Sequence, residues 1–351
     1  MTEITARVCI DGREVDYIDG SYKNAGNLTA AELNFKLPLT YGGMKKLWNR
    51  EVTFYLHEFD TVPMFRGWIR RTNETFNDIE IIAQDGFGYM KESGDTEIAK
   101  VALTEQSNLD GLTIGAAIEK ALVLSKLDTK IKTDFIRDTT PYVNSVSTPL
   151  RGVMTVYDIM TTLLQRAIDN SGTLPRPNIA RLVDDGSNSQ LVIDLESLID
   201  ESAVIKHVFS EFSNIIELNI INRKVPTIII VSGRDGVVGT FTHDSAISAL
   251  DRTYLEITNE NLSSPAECVE FGSRVFQANL KNQYEYTFKT FEGAYLNEND
   301  VVRLETDDKE FSGNYRIIGK DVKFSPSGFS IGLIINRKPP TLAEYIASSN
   351  N

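Results

Sequence analysis

Residues 50–56 read REVTFYL and residues 65–71 read FRGWIRR, and a similar pattern returns near the other end of the chain as NDVVRL at residues 299–304 and FSGNYRII at residues 311–318. In both copies, a stretch rich in β-branched and aromatic residues precedes an aromatic-x-Gly step that opens a second such stretch. This composition favours β-strands. We therefore predict that each copy forms two adjacent strands, so that the chain carries two similar β-modules. The residues that mark the repeated barrel motif are Val52, Phe54, Phe65, Gly67, Val301, Phe311, Gly313 and Tyr315.

Period-two alternation of apolar and polar residues surrounds the first copy. Ile4–Ile10 and residues 32–37 alternate in this way, as half-buried strands do. The dipeptide Asp11-Gly12 predicts a hairpin turn. Residues 1–95 are therefore predicted to form a first antiparallel β-barrel or sandwich.

Helical periodicity replaces this alternation over residues 96–190, which we predict to be a helix-containing insertion. Five apolar residues share one face of a predicted helix, namely Ile114, Ala117, Ile118, Ala121 and Leu122. A stronger helix is predicted from Thr155 to about Asn170, where Thr155 and Asp158 resemble a capping box.

Residues 191–340 are predicted to form a second β-barrel or sandwich, with an insertion at about 239–265. Strands are expected at Ile215–Ile221, Thr227–Val231 and Ala266–Leu280. The glycines of Gly233–Gly239 suggest a phosphate-binding loop, but the Lys-Ser/Thr ending of such loops is missing and a hairpin turn is favoured. The polar residues 341–351 are predicted to be a mobile tail. The predicted fold class is mainly β with α insertions (α+β), built from two antiparallel β-barrels or sandwiches linked by a helix-containing segment.

The charge balance argues against nucleic acid as a binding target. The chain has 49 acidic and 36 basic residues, a formal net charge of −13, and an acidic surface does not attract phosphate backbones. No apolar run reaches the ~18 residues of a transmembrane helix, and no secretory signal is recognisable. We expect a soluble protein made in a cytoplasm. Cys9 and Cys268 have no nearby Cys or His partner and are expected to be buried thiols.

Candidate catalytic and metal-binding residues are scattered. His57, His207 and His243 lack the i, i+3 or i+4 spacing of a helical metal pair. The acidic pairs Asp184-Asp185 and Asp307-Asp308 lie in turn-like contexts, where Asp is favoured by its local hydrogen bonds. We expect no cofactor, no metal and no enzymatic activity. A β-rich cell-wall glycan hydrolase stays open as an alternative, because a spatial pair of carboxylates is invisible in sequence.

The order of these patterns resembles the baseplate hub proteins of phage tails, a family that includes the late control D proteins and the hub part of type VI secretion VgrG spikes. The resemblance covers most of the chain. It rests on residues 52–56 with 65–69, on the predicted helix at residues 156–164, and on residues 300–304 with 311–317.

This resemblance implies two tail-tube-like barrels in each subunit of a homotrimer. Three chains with two similar modules each would match six subunits of a ring. The trimer would join the hexameric ring of tail tube protein to the trimeric spike and line the DNA conduit. Further implied partners are the tape measure protein and the baseplate wedge proteins. The protein would reside in the virion tail baseplate after assembly in the host cytoplasm, with no sequence-specific nucleic acid binding and no membrane contact. A hexameric distal tail or adaptor protein is the alternative within the same structural class.

The loop at residues 39–48 is the predicted interface. It combines aromatic, Met and Lys residues, a mixture typical of contact surfaces, and the residues expected to make the contact are Tyr41, Met44, Lys45, Lys46 and Trp48. The alternative that Trp48 caps the first barrel stays open.

Overall fold

The computed structural model describes residues 6–24, 29–39, 47–56, 60–91, 100–104, 109–133, 150–166, 168–169, 176–195, 197, 202–222, 224–244, 247, 252–259, 262–281, 284–307 and 311–337. In these ranges the chain is mainly β with helical insertions, which confirms the predicted class. The prediction of barrels is wrong in one respect, because the sheets in the described ranges are not closed. Their edge strands have a strand partner on one side only, and most pairings are antiparallel. Closure would need the edge strands to find partners.

The chain divides into two compact units by its internal contacts. Unit 1 comprises Met1–Ser197, Lys289–Asp300 and Ile317–Leu333, and unit 2 comprises Leu198–Phe288, Val301–Arg316 and Ile334–Asn351. The chain passes from one unit to the other within three strands, β19 (Tyr284–Thr290), β21 (Gly313–Ser325) and β22 (Gly328–Arg337). The three domain boundaries inferred from the sequence stay a prediction.

The main sheet of unit 1 is antiparallel. Its strands are β1 (Arg7–Ile10), β2 (Arg13–Glu14), β3 (Gly20–Asn24), β4 (Glu32–Pro38), β5 (Glu51–Tyr55), β6 (Phe65–Glu74) and β7 (Asp78–Gln84). They follow the order β3-β4-β7-β6-β5-β1-β2, and residues 320–324 of β21 pair with β3. Asp11 and Gly12 have φ of 49° and 73°, as a tight hairpin turn requires, which confirms the turn predicted there.

The apolar residues of this sheet form its core in the predicted alternation. Leu33, Phe35 and Leu37 of β4 are fully buried, while Asn34 and Lys36 between them are only half-buried. The rings of Phe54 and Phe324 stack with centroids 4.4 Å apart. Burial of large apolar side chains on one face of the sheet is therefore what selects the register of β4.

A second layer of unit 1 contains the helices. Its elements are α1 (Gly86–Lys91), β8 (Lys100–Leu103), α2 (Ile114–Leu124), β9 (Ile131–Lys132), β10 (Gly152–Thr155), α3 (Val156–Arg166), β11 (Ile168–Asp169), β12 (Arg176–Asp184) and β13 (Ser189–Leu195). The five apolar residues predicted to share a face of α2 are all fully buried. Thr155 Oγ1 accepts a hydrogen bond from the Asp158 backbone N–H at 3.0 Å, which confirms the predicted cap of α3.

The predicted end of α3 is wrong. The helix was expected to reach about Asn170, but it ends at Arg166, and Ile168 and Asp169 pair with Pro177 and Arg176 of β12. Ile168 and Asp169 form a strand because they pair with β12, and the helical periodicity of the sequence did not indicate this pairing.

Unit 2 holds a small α/β layer and further strands. Its elements are β14 (Ile205–Ser210), β15 (Glu217–Asn222), β16 (Ile228–Ser232), β17 (Val238–Thr242), β18 (Tyr254–Thr258), α4 (Pro265–Lys281) and β20 (Val301–Glu305). β14 runs parallel to β20, and β15 pairs with β19. β16 pairs with β17 across the loop at residues 233–237, so the hairpin turn predicted there is confirmed. Cys9 and Cys268 are free and buried, as expected.

The strand expected at Ala266–Leu280 is wrong, because Pro265–Lys281 is the helix α4. Ser264 and Glu267 form a reciprocal capping box: Ser264 Oγ accepts from the Glu267 N–H at 3.3 Å, and Glu267 Oε2 accepts from the Ser264 N–H at 3.2 Å. Cys268 and Phe276 on one face of the helix are fully buried against β16 and β17. Among the described residues, no helix has the length and apolar character needed to cross a bilayer.

Candidate assembly interface and polar cavity

Of the five residues of the predicted interface loop, only Trp48 lies within the described ranges; Tyr41, Met44, Lys45 and Lys46 lie outside them. Trp48 is 58% exposed. It sits in a turn in which the backbone N–H of Asn49 donates to Ile69 O at 2.9 Å, and the Arg70 guanidinium lies 5.7 Å from its ring centroid. The turn therefore presents an aromatic surface beside a positive charge. Its role as an interface stays a prediction.

The first copy of the repeated motif lies in unit 1 as a pair of antiparallel strands. Val52 is opposite Gly67, and Phe54 is opposite Phe65. A Cβ atom on Gly67 would lie 2.4 Å from the Gln84 carbonyl oxygen. Glycine is required at this position because the backbone of β7 approaches too closely for a side chain.

The second copy lies in unit 2 and is also an antiparallel strand pair. Val301 is opposite Arg316, and Gly313 is opposite Leu304. Phe311 precedes β21, and the buried Tyr315 hydroxyl donates to the Phe311 carbonyl at 2.5 Å. Gly313 has a φ of 154°, which a residue with a side chain rarely adopts. The two glycines of the motif thus serve different local needs. Gly313 lies in the pair nearest the loop that connects its strands, and Gly67 lies in the third pair from the corresponding loop.

An exposed apolar segment spans residues 204–221 of unit 2. Six large hydrophobic side chains in this segment are exposed, namely Val204, Val208, Phe212, Ile216, Ile220 and Ile221, and Phe212 is 71% exposed. Within the described residues β15 pairs with β19 alone, so one edge of β15 has no strand partner there. A concentration of apolar side chains beside an open strand edge is typical of a protein contact surface. The sequence predicted a strand at Ile215–Ile221 but did not indicate that the segment is a contact surface.

A further exposed aromatic residue, Phe76, lies in a turn that is fixed by hydrogen bonds. Phe76 is 98% exposed at the tip of the hairpin between β6 and β7. Thr75 Oγ1 accepts from the backbone N–H groups of Asn77 and Asp78 at 3.2 and 3.1 Å, and the Thr75 N–H donates to Asp78 O at 2.9 Å. These bonds fix the turn and hold Phe76 away from the core of unit 1.

Unit 1 contains a polar cavity of about 400 Å³. Arg181, Glu298 and Lys320 line it, together with the exposed side chains of Val62 and Tyr295. Burial, and after it the nearby Asp85 carboxylate, raise the pKa of Glu298 to about 7, although Arg181 and Lys320 act in the opposite direction. Burial likewise lowers the pKa of Lys320 to about 8, against the effect of Glu298 and Asp300.

The residues that the sequence raised as catalytic candidates do not converge within the described chain. His57 and Asp308 lie outside it, His207 lies beside Phe209, and the His243 ring stacks on Phe276 with centroids 4.8 Å apart. Among the described residues no group of three His, Cys, Asp or Glu side chains could hold a metal.

Of the two acidic pairs, Asp184, Asp185 and Asp307 lie within the described residues. Asp184 forms an ion pair with Arg66 at 2.5 Å. Asp185 accepts hydrogen bonds from the backbone N–H groups of Asn188 and Ser187 and from the Gln190 amide, and these bonds lower its pKa to about 2. The Asp307 backbone N–H donates to Glu211 Oε2 at 3.2 Å. The Asp184 carboxylate is therefore held by an ion pair and the Asp185 carboxylate by a turn, in agreement with the turn-like sequence context of this pair.

No protein-family model matches the chain, and no curated protein matches it. Solved structures do. The tail protein from Neisseria meningitidis MC58 superposes with a TM-score of 0.63 at 12% identity, over 98% of this chain and 98% of that one. The 43 kDa tail protein of prophage MuSo2 from Shewanella oneidensis gives a TM-score of 0.60 at 11% identity, over 95% and 98%.

A third similar structure is the E. coli c3393 protein, described as a component of the type VI secretion system with structural similarity to the T4 bacteriophage tail proteins gp27 and gp5. Its TM-score is 0.56 at 11% identity, over 95% of this chain and 77% of that one. The resemblance inferred from the sequence is confirmed in the fold: the chain shares the fold of phage tail and type VI secretion proteins along nearly its whole length.

Proposed function

We propose that the chain is the structural hub of a phage tail baseplate or of a related contractile injection system. Three copies form a pseudo-hexameric ring that joins the hexameric tail tube to the trimeric spike and lines the DNA conduit. The observation that carries this proposal is the fold shared with a tail protein over 98% of both chains. Because that likeness extends along nearly the whole chain, it supports a tail role for the chain as a whole.

The repeated motif supports a trimer. One copy of the strand pair lies in each unit, with Val52 opposite Gly67 in the first and Leu304 opposite Gly313 in the second. A chain with two similar modules lets three subunits present six similar surfaces in a closed ring. A symmetry adaptor between a six-fold tube and a three-fold spike needs this property.

The 204–221 segment supports self-association. Its exposed apolar side chains would lie in water in an isolated subunit, and covering them with a neighbouring subunit would be favoured by the hydrophobic effect. The open edge of β15 offers backbone hydrogen bonds to the same neighbour. We assign the contact between subunits to this segment.

The charge of the chain suits a conduit wall. At a net charge of −13, the protein repels DNA phosphates, so DNA passes without binding. The proposed location is the virion tail, and the proposed partners are the tube protein, the spike, the tape measure protein and the baseplate wedge proteins. No enzymatic step is part of this proposal.

The assembly contact is tested by replacing Phe212 and Ile216 together with Glu. Both side chains are exposed, so each unit should fold normally, and the trimer should dissociate to monomers because two charges would be buried at the contact. Val123→Glu is the matched control, since Val123 is exposed on α2 in unit 1 and should leave the trimer intact. Sedimentation velocity measures the outcome. A double variant that stays trimeric would refute the assigned contact, and turnover of purified peptidoglycan by the wild type would favour the hydrolase alternative.

A further inference from the structure

Glu298 lines the unit 1 cavity and lies in a turn that backbone hydrogen bonds fix. The backbone N–H of Leu296 donates to Gly293 O at 3.1 Å, and the N–H of Asn297 donates to Asp300 Oδ2 at 2.8 Å. Asn299 adopts a left-handed φ of 70°, and its N–H donates to Ile317 O at 3.0 Å. The position of Glu298 is therefore set by backbone hydrogen bonds on both sides of it.

Two cationic side chains reach the same cavity from other elements. Arg181 on β12 donates from a terminal guanidinium nitrogen to the Glu298 carbonyl at 3.3 Å, and Lys320 on β21 donates from Nζ to the Ala294 carbonyl at 2.9 Å. Both hydrogen bonds are to backbone oxygens, so neither involves the Glu298 carboxylate. The cavity lining thus carries the two cations Arg181 and Lys320 and the carboxylates of Glu298, Asp60 and Asp184, of which Asp184 is paired with Arg66. The described contacts include no direct hydrogen bond from Arg181 or Lys320 to the Glu298 carboxylate.

Two polar atoms of this cavity have no hydrogen-bond partner among the described residues. These atoms are Glu298 Oε1 and Arg181 Nε, and both are buried. A buried donor or acceptor without a partner destabilises the folded protein, and the effect is larger when the group is charged. A ligand that offers an acceptor to Arg181 and a donor to Glu298 would remove both penalties at once.

We propose that the cavity binds a small zwitterion of the α-amino acid class, whose carboxylate contacts Arg181 and Lys320 and whose ammonium contacts Glu298. The volume of about 400 Å³ lies in the size range of small-molecule sites. Val62 and Tyr295 are exposed at the cavity and provide apolar surface for the side chain of the ligand. A metal ion fits less well, because the described residues offer no set of three metal ligands here.

The electrostatics of the site agree with a ligand that carries both charges. Glu298 faces Arg181 and Lys320 as well as the carboxylate of Asp85, and Lys320 also faces Asp300. Burial raises the pKa of Glu298 to about 7, so the carboxylate is half protonated near neutral pH. An ammonium needs the ionised form, and we expect the affinity to fall as the pH decreases below 7.

The proposal is tested on the full chain with L-glutamine as the probe, by isothermal titration calorimetry and thermal unfolding at pH 7.5, between the pKa of Glu298 at about 7 and that of Lys320 at about 8. Acetate and methylammonium each carry one of the two charges and serve as half-ligands. We expect L-glutamine to bind one per chain and to raise the Tm by about 2 °C at saturating concentration. Each half-ligand should bind at least tenfold more weakly.

The variant Glu298→Gln removes the charge that holds the ammonium, and it should weaken binding of L-glutamine at least tenfold. This variant should fold, because it replaces a buried carboxylate with a neutral amide of the same shape. Glu256→Gln is the control, since Glu256 is exposed in unit 2 and should leave binding unchanged.

Three results would overturn the proposal: no binding of L-glutamine to the folded wild type, equal binding of acetate, or unchanged binding in the Glu298→Gln variant. None of these results bears on the oligomeric state, so the proposed hub function stands or fails separately.

Discussion

The Arg66 guanidinium and the Asp184 carboxylate form a buried ion pair between β6 and β12, with Arg66 Nε and Asp184 Oδ2 2.5 Å apart. The two residues are 118 positions apart in sequence. Their side chains are only 10% and 5% exposed. Arg66 also donates to Glu51 Oε1 at 2.6 Å and to the Gly186 carbonyl at 3.1 Å. Arg66 therefore connects the main sheet of unit 1 to the turn between β12 and β13 through hydrogen bonds.

Replacing Arg66 with Met should destabilise unit 1 by about 3–5 kcal/mol, because Asp184 would remain buried without its partner charge. Urea unfolding followed by circular dichroism measures the change. Arg50→Met is the control: Arg50 pairs with Asp11 at the surface, where the side chains are about half and a third exposed, and the expected loss is under about 1 kcal/mol. Equal small losses in both variants would contradict the role given to Arg66.

Replacing Gly67 with Ala should destabilise the first strand pair by about 2 kcal/mol or more, because the added Cβ would lie 2.4 Å from the Gln84 carbonyl oxygen and the strands would have to separate. Gly332→Ala is the matched control within a strand of the same unit, since its Cβ would meet Asp321 O at an ordinary 3.5 Å. Thermal unfolding compares the two variants. A Gly67→Ala protein as stable as Gly332→Ala would show that the close approach is not rigid.

Replacing Ser264 with Ala should lower the free energy of unfolding of unit 2 by about 1 kcal/mol, because the helix α4 loses its N-cap acceptor for the Glu267 N–H. Glu270→Ala on the same helix removes only an exposed ion pair with Arg274, and its effect should stay within about 0.5 kcal/mol. Hydrogen exchange of the α4 amides reports both changes locally. Loss of protection in the Glu270→Ala variant alone would contradict the capping box.

The stability of unit 1 should fall as the pH rises from about 4 to about 7. Burial raises the pKa of Asp85 to about 7, against hydrogen bonds from the backbone of Ala31, Gly88 and Phe87. The folded state therefore holds this proton more tightly than the unfolded chain, where Asp titrates near 3.9. Glu298 is shifted in the same direction.

The variant Asp85→Asn isolates the contribution of Asp85, because the amide oxygen can still accept from Phe87 N–H while the titrating group is gone. The slope of unfolding free energy against pH between about 4 and 7 should become shallower, by up to about 1.4 kcal/mol per pH unit where the proton difference is complete. Urea midpoints measured across this range provide the test. An unchanged slope would show that Asp85 does not retain its proton in the folded state.

The sequence predicted those elements whose signals are local. The alternation of Leu33, Phe35 and Leu37, the Asp11-Gly12 turn and the cap of α3 at Thr155 all depend on neighbouring residues, and each is confirmed. The helix α4 was also marked locally, by the pair Ser264 and Glu267. The strand prediction gave too much weight to the apolar residues of Ala266–Leu280 and ignored their helical spacing.

Other features depend on contacts between distant residues and had no local signal. Closure of a sheet into a barrel is decided by the edge strands. That β2 and β15 have no second strand partner in the described ranges could not be inferred from alternation. The cavity brings Arg181, Glu298 and Lys320 together from three separate elements. The predicted interface loop stays untested, because four of its five residues lie outside the described chain.

The most direct test of the proposed hub is the mass of the wild-type protein in solution, measured by multi-angle light scattering over a range of concentrations. A hub with two modules per chain should give a particle of three times the chain mass of 39.2 kDa. A particle of six chains would identify a distal tail or adaptor ring instead. A single-chain mass at every concentration would contradict the contact assigned to the 204–221 segment.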